Sequence, residues 1–137
     1  NDNITLSIKT DEEGHIQIYS RELLQVFLNL LKNSKEALLE HTKEGRHIDV
    51  TISSDEDMLI TTICDNGGGI DEETIEKIFA PYFSTKNEKV GTGLGLYMSK
   101  TIIEKHLHGS ISVTSEHRTT CFKITIPKTT QKETVHE

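Results

Sequence analysis

The chain has 137 residues, a length that suits a single domain with its own hydrophobic core. Asp and Glu total 22 against 15 Lys and Arg, and the formal net charge of −7 argues against nucleic acid or an anionic membrane as the main partner. A small phosphorylated ligand stays compatible, because it needs only local cations and backbone N–H groups. No apolar run reaches transmembrane length and no signal-peptide pattern is present, so we expect a cytoplasmic domain that does not itself contact a membrane.

The chain starts at Asn1, and we expect it to be a fragment of a longer protein whose membrane anchoring the sequence does not reveal. Residues 1–127 are expected to form the domain and residues 128–137 a polar, disordered tail. Cys64 and Cys121 each lie in an apolar, strand-like run far apart in sequence. That setting favours two reduced core cysteines over a disulfide or a metal pair.

The first half of the chain alternates strand and helix patterns. Residues 4–9 and 15–19 alternate apolar and polar residues as half-buried strands do, and Ser20 is a plausible N-cap for a long helix over 21–40. Segments 48–54 and 58–64 then predict a β-hairpin.

In the second half, a glycine cluster at 65–70 precedes a short predicted helix over 72–79 and a loop over 80–93. A second long helix is predicted over 94–107, followed by strands at 110–115 and 121–126. These elements give a mixed α/β pattern, for which the simplest packing is one sheet covered on one face by helices.

The long predicted helix carries polar residues inside an apolar sequence. Its polar positions recur at spacings of three or four and therefore share one face, and they are Glu22, Gln25, Asn29, Asn33 and Glu36. A solvated outer stripe is one interpretation. The other is that the Asn side chains face a cavity, because Asn is a poor residue for the middle of a helix and its amide oxygen is a suitable ligand for Mg²⁺.

Two glycine clusters follow apolar segments. Asp65, at the end of a predicted strand, fits an ordinary turn, but it could also accept a hydrogen bond from the exocyclic amine of adenine, with Gly67 and Gly69 letting the backbone turn beneath the base. Gly91, Gly93 and Gly95 precede a helix, where bare backbone N–H groups can approach a phosphate chain. Their spacing matches neither a Walker A motif nor a Rossmann fingerprint.

Taken in order, these segments resemble the catalytic and ATP-binding domain of sensor histidine kinases, in the GHKL superfamily that includes DNA gyrase, Hsp90 and MutL. The resemblance covers essentially the whole chain, and its lid length points to the subgroup of nitrogen-regulatory and sporulation kinases. The matching segments are NLLKNSKEA (29–37), CDNGGGI (64–70), IFAPYFSTK (78–86), GTGLGL (91–96) and FKITIP (122–127).

This resemblance implies an α+β fold, a two-layer α/β sandwich in which a mixed sheet of about five strands is covered on one face by about three helices. It also implies that the domain binds Mg-ATP beneath a flexible lid. It implies that Asn33 is the Mg²⁺ ligand, that Asn29 contacts phosphate or metal and that Asp65 binds the adenine amine. Lys86 is the expected cation at the terminal phosphate, although it could equally be a solvated loop lysine. Phe79 and Phe83 are expected to anchor the lid and Thr120 to lie near adenine. The remaining expected nucleotide contacts are Gly67, Gly69, Ile70, Gly91, Thr92, Gly93, Leu94, Gly95 and Leu96.

Three features depart from the family pattern. Glu36 stands where a basic residue is frequent, which raises the importance of Lys86 for neutralising phosphate charge. Thr119 stands where glycine is usual before the last strand. The lid is short, with about ten residues between Pro81 and Gly91.

The expected reaction is transfer of the γ-phosphoryl group of ATP to a histidine. The expected downstream partner is the receiver domain of a response regulator. None of the seven histidines has the family's acceptor context, so the acceptor is expected in a dimerisation domain outside this chain. Alternatives that remain open are a non-catalytic nucleotide-sensing module, a GHKL-type ATPase and an anti-sigma serine kinase. The ATPase relatives have a general-base Glu where this chain has Asn29, and an amide cannot take a proton from water.

Overall fold

A computed structural model describes residues 3–10, 21–81, 83 and 95–128. Its strands are Thr5–Thr10 (β1), His47–Ser54 (β2), Met58–Asp65 (β3), Ser110–Glu116 (β4) and Thr119–Pro127 (β5). Its helices are Arg21–His41 (α1), Glu72–Ile75 (α2) and Gly95–Thr101 (α3), and α3 continues as a π-helical segment at Ile102–His106. Among these residues no helix combines the length and the apolar character needed to cross a membrane.

The strands form one mixed sheet in the order β1-β2-β3-β5-β4. Only the pairing of β1 with β2 is parallel, while the other three pairings are antiparallel. The predicted α+β sandwich is therefore confirmed. The last strand, β5, lies between β3 and β4, so segments from the middle and the end of the sequence become neighbours.

The core forms between the helices and one face of the sheet. Along α1 the buried residues are spaced by three or four positions, as one face of a helix requires: Leu23, Val26, Leu30, Ser34 and Leu38. Alternate residues of the central strands point at this face, including Leu59 and Ile63 of β3 and Phe122 and Ile124 of β5. This alternation decides which side chains at the strand ends face the helices.

Two predicted helices differ from the observed ones. The helix predicted over 72–79 ends at Ile75, because the backbone continues in tighter turns such as Lys77 N–H to Thr74 O at 2.9 Å. The helix predicted over 94–107 changes to π-helical geometry, in which Leu107 N–H donates to Ile102 O at 3.0 Å. The strand predicted over 15–19 and the cap at Ser20 lie outside the described residues.

The expectation of two reduced cysteines is wrong in this structure, where Cys64 and Cys121 form a disulfide. The register of β3 and β5 places the two residues directly opposite each other, with Cα atoms 4.1 Å apart. Both are half-buried on the sheet face opposite the helices. The sequence separation of 57 residues hid this proximity, because it depends on long-range strand pairing.

Reduction of this bond is expected to lower the free energy of unfolding by about 2–4 kcal/mol, because the bond closes a long loop in the unfolded chain. Denaturant titrations with and without reductant measure the difference. The double variant Cys64→Ser/Cys121→Ser is the control and should be insensitive to reductant. Two free thiols titrated in the native, unreduced protein would contradict the disulfide.

Candidate functional site

Every second residue of β3 is buried and points toward the core, and Asp65 is the last of these buried positions. It pairs in register with Thr120 of β5, and both face the helical layer. Asp65 is 4% exposed and Thr120 is 5% exposed. A carboxyl and a hydroxyl group thus lie side by side where the pattern of the strands would place two apolar side chains.

Burial raises the pKa of the Asp65 carboxyl above its ordinary value of 3.8, because the charged form loses hydration. The Gly67 N–H donates to Asp65 Oδ1 at 2.9 Å and opposes this effect. Ser34 acts in the same direction more weakly, although its buried hydroxyl makes no close hydrogen bond within the described part of the chain. An additional donor from a ligand would therefore favour the ionised carboxylate.

The glycine loop after β3, defined as residues 66–70, is tied to its surroundings on two sides. The Asn66 side chain accepts from His47 N–H at 3.0 Å and donates to Gly45 O at 2.8 Å. On the other side, Ile70 N–H donates to Ser115 Oγ at 2.7 Å. The loop is held in shape by the protein itself, which makes it suitable as one wall of a binding site.

Gly67 has to be glycine because the loop passes close to α1. A Cβ atom at this position would lie 2.8 Å from Asp65 Oδ1 and 2.9 Å from Ala37 Cβ. Both distances are shorter than real Cβ contacts, so a larger residue would displace either the carboxylate or the helix. The absence of a side chain at Gly67 therefore sets the distance between the loop and the carboxylate.

A cleft that is open to solvent lies above Asp65. It is bounded by α1, by the glycine loop and by the start of β5. Its lining residues are Asn33, Ala37, Glu40, His41, Asp65, Gly67, Gly69, Ile70 and Thr120. Five predicted site residues besides Asp65 are thus brought together here: Asn33, Gly67, Gly69, Ile70 and Thr120.

Asn29 lies one turn before Asn33 on α1 and is half-buried. Its Nδ2 is 3.4 Å from the Oγ of Ser99, a fully buried residue of α3. With the amide nitrogen turned toward Ser99, the amide oxygen points the other way. In the described part of the chain no group of three His, Cys, Asp or Glu side chains could hold a metal.

Phe79 and Phe83 pack against the hydrophobic core and do not line the described cleft. The Phe79 ring makes an edge contact with Phe122, with 6.2 Å between the ring centroids. Lys100 Nζ lies 5.1 Å from the centroid of the Phe79 ring. These contacts suit the expected anchoring role. Leu96 also packs against the core, while Gly95 begins α3 with open space where its Cβ would be.

Five predicted site residues lie outside the described residues: Lys86, Gly91, Thr92, Gly93 and Leu94. Their expected contacts with the nucleotide stay predictions.

The structure explains why Thr119 can replace the expected glycine. A two-residue turn joins β4 to β5, and its residues His117 and Arg118 carry the positive φ angles, 51° and 66°. Thr119 pairs with Glu116 as the first residue of β5 and needs no unusual backbone conformation. The departure at this position therefore does not disturb the pocket.

Sequence reasoning missed several residues around the cleft. Ala37 and His41 follow Asn33 at intervals of four on the same helix, so the helical repeat could have identified them. Ser99, Ser115 and Arg118 reach the site only through strand and helix packing, and nothing in their local sequence indicates it.

Solved structures similar to this chain include the catalytic domain of histidine kinase ThkA, at 33% identity and a TM-score of 0.76, covering 92% of this chain and 81% of that one. Another is ThkA in complex with response regulator protein TrrA, at 30% identity and a TM-score of 0.74, covering 95% of this chain and 36% of that one.

Sporulation kinases A and E of Bacillus subtilis are both 41% identical to the chain, over 108 and 119 residues. Those segments are 78% and 85% of this chain but only 17% and 15% of the kinases, so the chain spans about a sixth of these relatives. The model of the histidine kinase-, DNA gyrase B- and HSP90-like ATPases matches residues 18–130. The chain belongs to this family.

Proposed function

We propose that this chain binds Mg-ATP and transfers its γ-phosphoryl group to a histidine on a dimerisation domain outside the chain, in a two-component system with a response regulator. The observation that carries the proposal is the buried Asp65 at the floor of a cleft whose wall carries Asn33. Membership of the family and the similarity to sporulation kinases support it.

Base recognition is assigned to Asp65 and Thr120. An ionised carboxylate accepts a hydrogen bond from the adenine amine, whereas guanine offers a carbonyl at that edge and would be repelled. Gly67 N–H already occupies one side of Oδ1 and orients the carboxylate. Because both side chains are buried, a ligand that left them unpaired would bind poorly.

Phosphate and metal binding is assigned to the Asn residues of α1. Asn33 lines the cleft, and Asn29 lies one turn away with its amide nitrogen directed at Ser99. Mg²⁺ takes few protein ligands and keeps phosphate and water oxygens for the rest, so amide oxygens fit it, and the bound ion would neutralise phosphate charge. Lys86 and the glycines at 91–95 are proposed to complete the phosphate site.

In the proposed transfer, an imidazole nitrogen of the acceptor forms a bond to the γ-phosphorus as the bond from that phosphorus to the β–γ bridging oxygen breaks. ADP leaves with the electron pair of that bond. Because such a reaction depends mainly on positioning and charge neutralisation, a rigid pocket for the nucleotide is the contribution expected of this chain. The described histidines lie at element ends or turns, and His106 is paired with Glu22.

Incubation with ATP labelled at the γ-phosphate tests where the acceptor lies. The chain alone is expected to gain no stable label, while an added histidine-bearing dimerisation domain from its parent protein should become labelled. Stable label on the isolated chain would refute the assignment of the acceptor to another domain.

Asn33→Ala is expected to weaken ATP binding in magnesium by roughly tenfold or more, which is about 1.4 kcal/mol. Folding should be preserved, because Ala is the better helix former. Calorimetry with magnesium or with EDTA measures the loss, and Lys32→Ala, an exposed position on the same helix, is the control. Unchanged magnesium-dependent affinity would remove Asn33 from the metal site.

Asp65→Asn is expected to have opposite effects on binding and on stability. ATP affinity should fall by about 1–3 kcal/mol, because a charged acceptor is lost. The nucleotide-free protein should be as stable as wild type or more stable at neutral pH, because a buried charge is removed.

The pH dependence of this difference follows from the raised pKa of Asp65. The folded state holds the proton on Asp65 more tightly than the unfolded state does. The stability that the protonated carboxyl contributes is therefore fully present below pH 3.8 and is lost as the pH rises through the pKa of the folded state. Denaturant titrations from pH 3.5 to 7 should therefore show wild type losing stability relative to the variant. If the variant instead lost stability relative to wild type between pH 3.5 and pH 7, this expectation would be wrong.

A further inference from the structure

The turn between β4 and β5 holds two non-glycine residues in a left-handed backbone conformation. His117 and Arg118 have φ angles of 51° and 66°, in the left-handed region where Asn and Gly are preferred in two-residue hairpins. Such conformations persist where surrounding contacts compensate for them. The turn lies beside the glycine loop, and its contacts there identify what Arg118 does.

Arg118 contacts both the glycine loop and the end of α1. Its carbonyl oxygen accepts from Gly68 N–H at 3.2 Å, and its Cα lies 3.3 Å from the point that a Cβ of Gly69 would occupy. Its Nη2 lies 3.5 Å from the carbonyl oxygen of His41, the last residue of α1. One residue thus joins the two walls of the cleft.

His41 is a cleft-lining residue whose side chain lies over the glycine loop. Its Cβ, Cγ and Cδ2 atoms are 3.1, 3.4 and 3.8 Å from the point that a Cβ of Gly68 would occupy. Gly68 has a φ of 104° and no side chain, so the imidazole can occupy this space. The side chain is 53% exposed, and Nε2 lies 3.7 Å from Glu40 Oε2.

We propose that His41 and Arg118 form an outer clamp on the base pocket, in which the His41 ring contacts the purine base and Arg118 holds the backbone of His41 against the glycine loop. This inference rests on the proposed function, because it takes the cleft to be the adenine site. His41 is four residues after Ala37 and eight after Asn33, so it continues the helix face that lines the cleft.

An aromatic ring is suited to this position. A base stacks on an aromatic side chain by its π-face, and the contact is worth more when the ring is already immobilised. The hydrogen bond from Thr42 Oγ1 to Asn66 O at 2.9 Å fixes the backbone next to His41 to the same loop. Arg118 acts through His41 and is therefore a positioning residue.

A purely structural role for the pair makes a different prediction. The Arg118 side chain lies beside the C-terminus of α1, where a cation stabilises the helix dipole. On that interpretation, removing the Arg118 side chain would reduce stability and the binding of all ligands together. The outer clamp predicts instead a loss restricted to ligands that carry a base.

The experiment measures the affinity of the chain for Mg-ATP and for magnesium with inorganic triphosphate, together with thermal unfolding. His41→Ala keeps the Cβ that packs on Gly68 but removes the ring, and it should weaken ATP roughly tenfold while leaving triphosphate unchanged. His41→Phe should restore ATP binding to within about threefold of wild type.

Arg118→Gly relieves the left-handed strain, so its thermal midpoint should stay unchanged or rise while its ATP affinity falls by about threefold or more. Arg118→Lys should recover part of that loss. His117→Asn is the control, because it alters the other left-handed residue of the turn, which is 91% exposed, and should bind ATP as wild type does.

Several results would overturn the outer clamp. If His41→Ala binds ATP as wild type does, or if it loses affinity for ATP and for triphosphate equally, contact between His41 and the base is excluded. Wild-type protein that binds neither ligand would remove the proposed function and the clamp together. If wild-type protein binds ATP and the His41 and Arg118 variants bind it equally well, the clamp is refuted and the proposed function is not.

Discussion

A carboxyl group occupies the last core position of β3, and the geometry around the cleft depends on keeping it there. Its burial is unfavourable for the charged form, and a single backbone N–H from Gly67 compensates only in part. The glycine loop must therefore approach closely, which only a residue without a side chain permits. A polar group placed in the core against local preference is typical of a functional site rather than of a stable core.

The two sides of the cleft differ in how they are built. On one side α1 presents Asn33, Ala37 and His41 at intervals of four residues, a spacing that a rigid helix maintains without further support. On the other side the glycine loop has no regular secondary structure and depends on hydrogen bonds with three neighbouring segments. Helix and loop are joined where α1 ends, at His41 and Thr42.

Strongly periodic elements and the order of the four sequence motifs could be predicted from the sequence. The hairpin of β2 and β3, helix α1 and the fold class follow from patterns that local physics produces. The disulfide, Ser99 and Arg118 could not be predicted, because each depends on which strands or helices become neighbours. The early end of α2 was missed for another reason: its apolar spacing continues beyond Ile75, while the backbone does not remain α-helical.

Asn66 holds the glycine loop through hydrogen bonds with other parts of the protein, and these bonds do not involve the ligand. Its side chain bonds to Gly45, before β2, and to His47, the first residue of β2, and its carbonyl oxygen accepts from Thr42. A substitution at Asn66 would remove these hydrogen bonds and alter the shape of the loop, although Asn66 is not one of the residues that line the cleft. The shape of the cleft therefore depends on residues that do not line it.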